Sequence, residues 1–197
     1  MRTNCAGTMI SDRHVLTAAH CFIRKDCKRV IIFSAPLDDV ACVAQPNDMI
    51  PRTFNLYSRG SDPTKTKLIT ALAKINVTRI DCIREKSNPD GKDDQLCISE
   101  LQETNMCSGD SGSGLMFKTE NGTWNVVGVA SGGTDCRIIN MAMNMKDDVD
   151  DESINNIHLD GGIFIDVRAH NQFICQYTGL CYANEFKNRQ KIKAILL

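Results

Sequence analysis

No apolar run in the 197-residue sequence approaches the roughly 20 residues needed to span a bilayer, so no membrane association through a helix is expected. Charge of one sign is equally scarce. The 23 Lys and Arg nearly balance 24 Asp and Glu, leaving a formal net charge of −1. No global field therefore draws the chain to nucleic acid or to an anionic surface. There is no internal repeat and no low-complexity linker. Close C-x-x-C pairs with His partners are missing too, so neither a zinc site nor a cofactor is expected. Hydrophobic residues at 42% and charged residues at 24% are ordinary for a globular protein. The length suits one domain, or two tightly joined halves, with a real core.

Cysteine is plentiful instead. Cys5, Cys21, Cys27, Cys42, Cys82, Cys97, Cys107, Cys136, Cys175 and Cys181 form an even set spread over the whole chain. That pattern reads as a disulfide framework in an oxidising, extracellular setting. Two sequons, at Asn76 and Asn121, suit the same secretory route and a glycoprotein. The chain opens MRTNCAG with no apolar signal segment, which suggests that the true N-terminus lies upstream.

Short β-branched or apolar runs dominate. Val30–Phe33, the stretches 54–60 and 67–82, Trp124–Ala130 and Gly162–Val167 are brief and bounded by charge, Gly or Pro, as strands are. Helix signals are confined to about 167–177 and the tail 183–196, whose Lys and Arg fit a last turn. Residues 147–152 crowd five carboxylates into six positions without the glycine and terminal Glu of an EF-hand. They read as a solvated loop within 137–161.

Two segments carry chemistry. In Met106-Cys107-Ser108-Gly109-Asp110-Ser111-Gly112, glycines flank a Ser. A nucleophilic Ser needs an exposed Oγ and backbone N–H groups aimed at the developing oxyanion, and glycine permits the tight backbone this requires. Upstream, Cys5-Ala6-Gly7-Thr8-Met9-Ile10 runs on to Leu16-Thr17-Ala18-Ala19-His20-Cys21, placing a His beside a Cys that can pair 16 residues back. His14 reads as a surface residue of a turn, while His158 and His170 read as solvent or structural positions without metal-ligand company.

CAGTMISDRHVLTAAHC and CSGDSGSGL resemble the two signature segments of the chymotrypsin/trypsin family of serine peptidases. The resemblance extends over most of the chain. It implies an all-β, two-barrel fold with an incomplete first barrel over 1–43, a second barrel over 44–166, a C-terminal helix over 167–181 and a basic tail over 182–197. It implies His20 as general base, Ser111 as nucleophile, and the N–H groups of Gly109 and Ser111 as oxyanion donors. Asn105, Gly133 and Gly162 fall in the specificity pocket. Cys5–Cys21, Cys82–Cys97 and Cys107–Cys136 become disulfides, with Cys27, Cys42, Cys175 and Cys181 left unassigned. Protein or peptide substrates follow.

The sequence also departs from that family. His20 and Ser111 stand 91 residues apart, against about 140 in the family template. The position of the triad Asp falls near Lys28-Arg29, and of the nearby carboxylates Asp26 is the best placed, ahead of Asp38 and Asp39. The chain reaches Cys5 too early to supply the N-terminal ammonium that pairs in the family with the residue here numbered Asp110. Neutral Asn105 offers no charge-assisted bond to Lys or Arg. Gly132 stands for the usual groove Trp, and Ser113-Gly114 for Gly-Pro. The acidic insertion lies beside the pocket, where it would favour basic peptides. Three readings follow: a serine endopeptidase, a non-catalytic homologue that binds proteins through the same groove, and a shortened form of a longer enzyme.

Overall fold

The computed structural model describes residues 5–22, 40–58, 60, 73–82, 94–100, 105–145 and 161–181. Alternation builds the sheet. In β4 (Thr53–Ser58) and β5 (Ala73–Ile80), Phe54 stands opposite Val77 and Leu56 opposite Ile75. All four are buried, while Thr53, Lys74 and Asn76 between them are exposed. That is the inside–outside period of a strand with one wet face.

β6 (Gln95–Ile98), β7 (Gly114–Lys118), β8 (Trp124–Gly132) and β9 (Gly162–Asp166) complete a ring. The order is β8-β7-β4-β5-β6-β9, and β9 pairs back with β8, so six strands close a barrel. This is the barrel of the chymotrypsin fold. The short strand β3 (Cys42–Val43) lies outside it, parallel to the start of β8. β8 is buried from Asn125 through Ala130 without alternation, because both of its faces are covered. Phe164, Leu56, Leu115, Val126 and Val127 are at most 1% exposed and fill the core.

Before the barrel come two strands of two residues each, β1 (Thr8–Met9) and β2 (Val15–Leu16), then a 3-10 turn over Ala19–Cys21. This hairpin falls within residues 1–43, the stretch expected as a remnant of a first barrel. Val30–Phe33, residues 147–152, His158 and the tail 183–196 lie outside the described residues.

The chain ends its described part on a 3-10 turn (Val167–His170) and helix α2 (Asn171–Thr178), as expected near 167–177. Asn171 Nδ2 donates to Ala44 O at 2.9 Å, and Arg168 forks onto Asp166 at 2.7 Å while reaching Asp48 O at 3.2 Å. The backbone turns left-handed at Gly179 (φ 76°), and Cys181 folds back to pair with Cys175.

One expectation fails. Residues Cys136–Met145 form helix α1, whereas the sequence predicts a solvated loop within 137–161 and no helix there. Asp135 caps it by accepting from Arg137 N at 2.9 Å, and Ile139 and Ala142, three apart, bury its inner face.

Candidate active site

The turn that carries Ser111 is fixed from below by the barrel. Gly112 N donates to Ala130 O at 2.8 Å, Ala130 N to Ser113 O at 2.9 Å, and Ser113 N to Asp110 O at 2.9 Å. The Asp110 side chain is 1% exposed. A buried carboxylate needs donors, and it receives Cys107 N at 2.9 Å and Gly60 N at 2.6 Å. A Cys107–Cys136 disulfide ties the turn to the start of α1.

Within this engaged turn two amides stand apart. Among the described residues, Gly109 N–H and Ser111 N–H donate no hydrogen bond, whereas the N–H groups of Asp110, Gly112 and Ser113 all do. They are the two named as oxyanion donors by resemblance.

The His20 segment docks on this turn from above. Ala6 N donates to Ser111 O at 2.8 Å, and Thr17 Oγ1 to Ala6 O at 2.7 Å. The Cys5–Cys21 disulfide closes the loop, with Cys21 Sγ 3.8 Å from Ser111 O. Gly112 makes the close approach possible. It has φ 89°, and a Cβ there would collide with Ala6 O and Thr17 Oγ1. His20 itself is exposed. Among the described residues its ring has no hydrogen bond to Ser111 or to any carboxylate. Asp26, Asp38, Asp39, Lys28 and Arg29 lie outside them.

Cys5, His20 and Cys21 bring their ligand atoms within 4.8 Å of one another, but the two sulfurs are bonded to each other and offer no thiolate to a metal. Cys82–Cys97 pairs as the resemblance implied, and Cys175–Cys181 resolves one pair left open. Cys42 is exposed and has no disulfide partner among the described residues, and Cys27 lies outside them.

Of the three residues expected in a specificity pocket, Gly133 and Gly162 lie together where β8 and β9 part, a Cβ on Gly133 standing 3.2 Å from Gly162 Cα. Gly133 is exposed, Gly162 buried and Asn105 half-buried. Ile98 underlies Gly162, its Cγ1 2.8 Å from where a Cβ would stand. Sequence reasoning passed over Glu100. Its carboxylate is buried in the same place, accepting from Thr134 N at 2.8 Å and from Gly161 N at 3.1 Å.

The two other described histidines, His14 and His170, have structural partners. His14 is half-buried rather than a plain surface residue, its Nδ1 2.8 Å from Ser11 Oγ. His170 Nε2 meets buried Asp94 at 3.0 Å. The sequon residues Asn76 and Asn121 are both exposed.

A family model described as Trypsin matches residues 39–146, more than half of the chain and inclusive of the Ser111 turn. Chymotrypsin-C of Bos taurus is 24% identical over 186 residues, covering 68% of this chain and 69% of that protein. Phenoloxidase-activating enzyme 1 of Spodoptera litura is 50% identical over 42 residues, which cover 21% of this chain and 11% of that protein. No helix among the described residues is long and apolar enough to cross a membrane. With its closed six-stranded barrel and C-terminal helix, the chain belongs to the trypsin family.

Proposed function

We propose that the chain is a secreted serine endopeptidase that cleaves proteins through an acyl-enzyme on Ser111. Ser111 Oγ attacks the scissile carbonyl carbon while the His20 imidazole takes its proton. The carbonyl oxygen becomes an oxyanion that accepts from Gly109 N–H and Ser111 N–H. Collapse breaks the C–N bond, and the imidazolium returns the proton to the leaving amine. Water then repeats the sequence on the ester. Residues 1–181 form the peptidase unit on this reading, with 182–197 a basic tail.

The observation that carries the reading is the pair of amides without acceptors on a turn whose neighbouring amides are engaged. In an acyl-transfer site each such donor is worth about 100–1,000-fold in kcat. A fluorophosphonate probe tests it. Labelling that disappears in Ser111→Ala establishes a working nucleophile, and a native chain that never labels refutes the enzyme.

A second reading, a protein-binding homologue without catalysis, is favoured by one feature. Among the described residues no carboxylate orients His20. In the family template, replacing that Asp by Asn costs about 10,000-fold in kcat, equivalent to about 5.5 kcal/mol of barrier. Slow labelling that a restored carboxylate accelerates would favour the enzyme, and binding of a protein ligand by an unlabelled chain would favour the homologue.

A further inference from the structure

We propose that Asn121 carries an N-linked glycan, displayed at the tip of the β7–β8 hairpin, at the end of β7 remote from Ser111. It rests on the secreted reading above, which supplies the compartment where such a transfer occurs. Of the two sequons, Asn76-Val77-Thr78 lies within β5, with Asn76 opposite Asn55 of β4 and Thr78 half-buried. Asn121-Gly122-Thr123 instead stands wholly on a connecting turn, and all three residues are exposed.

The turn makes no use of the two side chains that a sequon needs. Gly122 N donates to Thr119 O at 2.9 Å, and Thr119 N to Thr123 O at 2.9 Å. Thr119 Oγ1 donates to Thr123 O at 3.2 Å and accepts from Thr123 N at 3.1 Å. Gly122, at φ 83°, supplies the left-handed residue that closes such a loop. An Asn in a turn commonly folds its carboxamide back onto nearby backbone. Among the described residues the Asn121 carboxamide makes no hydrogen bond, and neither does the Thr123 hydroxyl. Those are the groups that define an acceptor site. The space beside them is open, since a Cβ on Gly122 would meet only Lys118 Cε, at 3.7 Å.

The placement also leaves the Ser111 turn clear. β7 runs from Gly114 to Lys118, and β8 returns from Trp124 to Gly132. At about 3.3 Å per residue, β7 alone carries the hairpin roughly 13 Å away before the tip begins. In the transfer, Asn121 Nδ2 bonds to C1 of the first sugar of a lipid-pyrophosphate-linked oligosaccharide. The bond from C1 to the pyrophosphate oxygen breaks. The lipid pyrophosphate leaves with the electron pair and takes up the proton that Nδ2 gives up. The rival role is an Asn-Gly pair that only shapes the turn.

Electrophoresis before and after peptide-N-glycosidase tests this on the full chain, expressed from its own transcript in eukaryotic cells. Asn76→Gln, at an exposed position, leaves Asn121 as the one sequon. That variant, recovered from the medium, is expected to migrate slowly and to shift on treatment. Adding T123A, which keeps the Asn-Gly turn, is expected to abolish the shift, and adding T123S, which keeps the sequon, to retain it. Should T123A be held back in the cell, N121Q and the cell lysate are read in the same way. A secreted Asn76→Gln chain without a shift, or a shift that survives T123A, leaves Asn121 a turn former and overturns the proposal alone. A chain that stays in the cytosol overturns it together with the secreted reading. A glycosylated chain that never labels with fluorophosphonate bears out the glycan and sinks the peptidase reading alone.

Discussion

The Ser111 turn and the His20 segment meet at one seam but are held by different means. The turn grows out of the barrel. Its amides bond to β8, its Asp110 is buried among backbone donors, and a disulfide ties it to α1. The His20 segment has two strands of two residues, one disulfide and the backbone hydrogen bond from Ala6 N to Ser111 O on the turn. Its only fully buried apolar residues are Ile10 and Ala18. Ser111 is therefore positioned by a core, and His20 by a covalent clamp. Damage to the core should abolish both arrangements, while damage to the clamp should release only His20.

The largest effect is expected from Phe164→Ala. Phe164 is 0% exposed and packs at the closure of the ring. Losing a buried aromatic costs about 3–5 kcal/mol, so thermal unfolding should shift down sharply and the signal of Trp124, the sole tryptophan, should change with it. Next comes the double substitution Cys5→Ala with Cys21→Ala. A 16-residue loop is worth about 3 kcal/mol in closure entropy. Here the barrel should still melt as before, while protease should clip the region around 5–22 far faster. Barrel melting that falls in step with the clipping would show that the two halves are one cooperative unit.

Gly112→Ala probes the seam itself. A side chain at φ 89° that also meets Ala6 O and Thr17 Oγ1 should cost about 1–2 kcal/mol and loosen the docking of the His20 segment, measurable as faster amide exchange at Ala6. The smallest effect belongs to the outer clamp of the turn, α1. Arg137 beside Asp135 lowers that carboxyl from 3.8 to about 2. A depressed folded value means the contribution is present above the unfolded value and lost as pH falls from about 4 towards about 2. An NMR titration should find Asp135 among the last carboxyls to protonate, and Arg137→Ala should return it to the ordinary range. The pair is exposed, so overall stability should scarcely move.

What the sequence makes legible is local. The Ser111 turn, the Cys5–Cys21 clamp and strands such as β8 announce themselves within a few residues, because glycine placement, cysteine spacing and β-branched runs act over short range. α1 was missed although its signals are present. Asp135 stands at the N-cap and Ile139 and Ala142 share a face, but two buried positions among the seven residues 136–142 make a weak stripe beside a conspicuous acidic run. The Cys175–Cys181 pair depended on a chain reversal at Gly179. Glu100 was invisible for another reason. Its partners lie 34 and 61 residues further on, and nothing near it in sequence marks the parting of β8 and β9 where they stand.

Barrel closure also sets an order of events during synthesis. β9 is the last strand of the ring, and it bonds to β6 on one side and β8 on the other. Until residues 162–166 leave the ribosome, β6 and β8 present open edges, and the parting of β8 and β9 around Glu100 does not exist. Such pairings, distant in sequence, form slowly and late. A ribosome-bound chain ending before β9 should thus be the species that chaperones hold longest. The Ser111 turn, though translated dozens of residues earlier, should become rigid only when that final strand arrives.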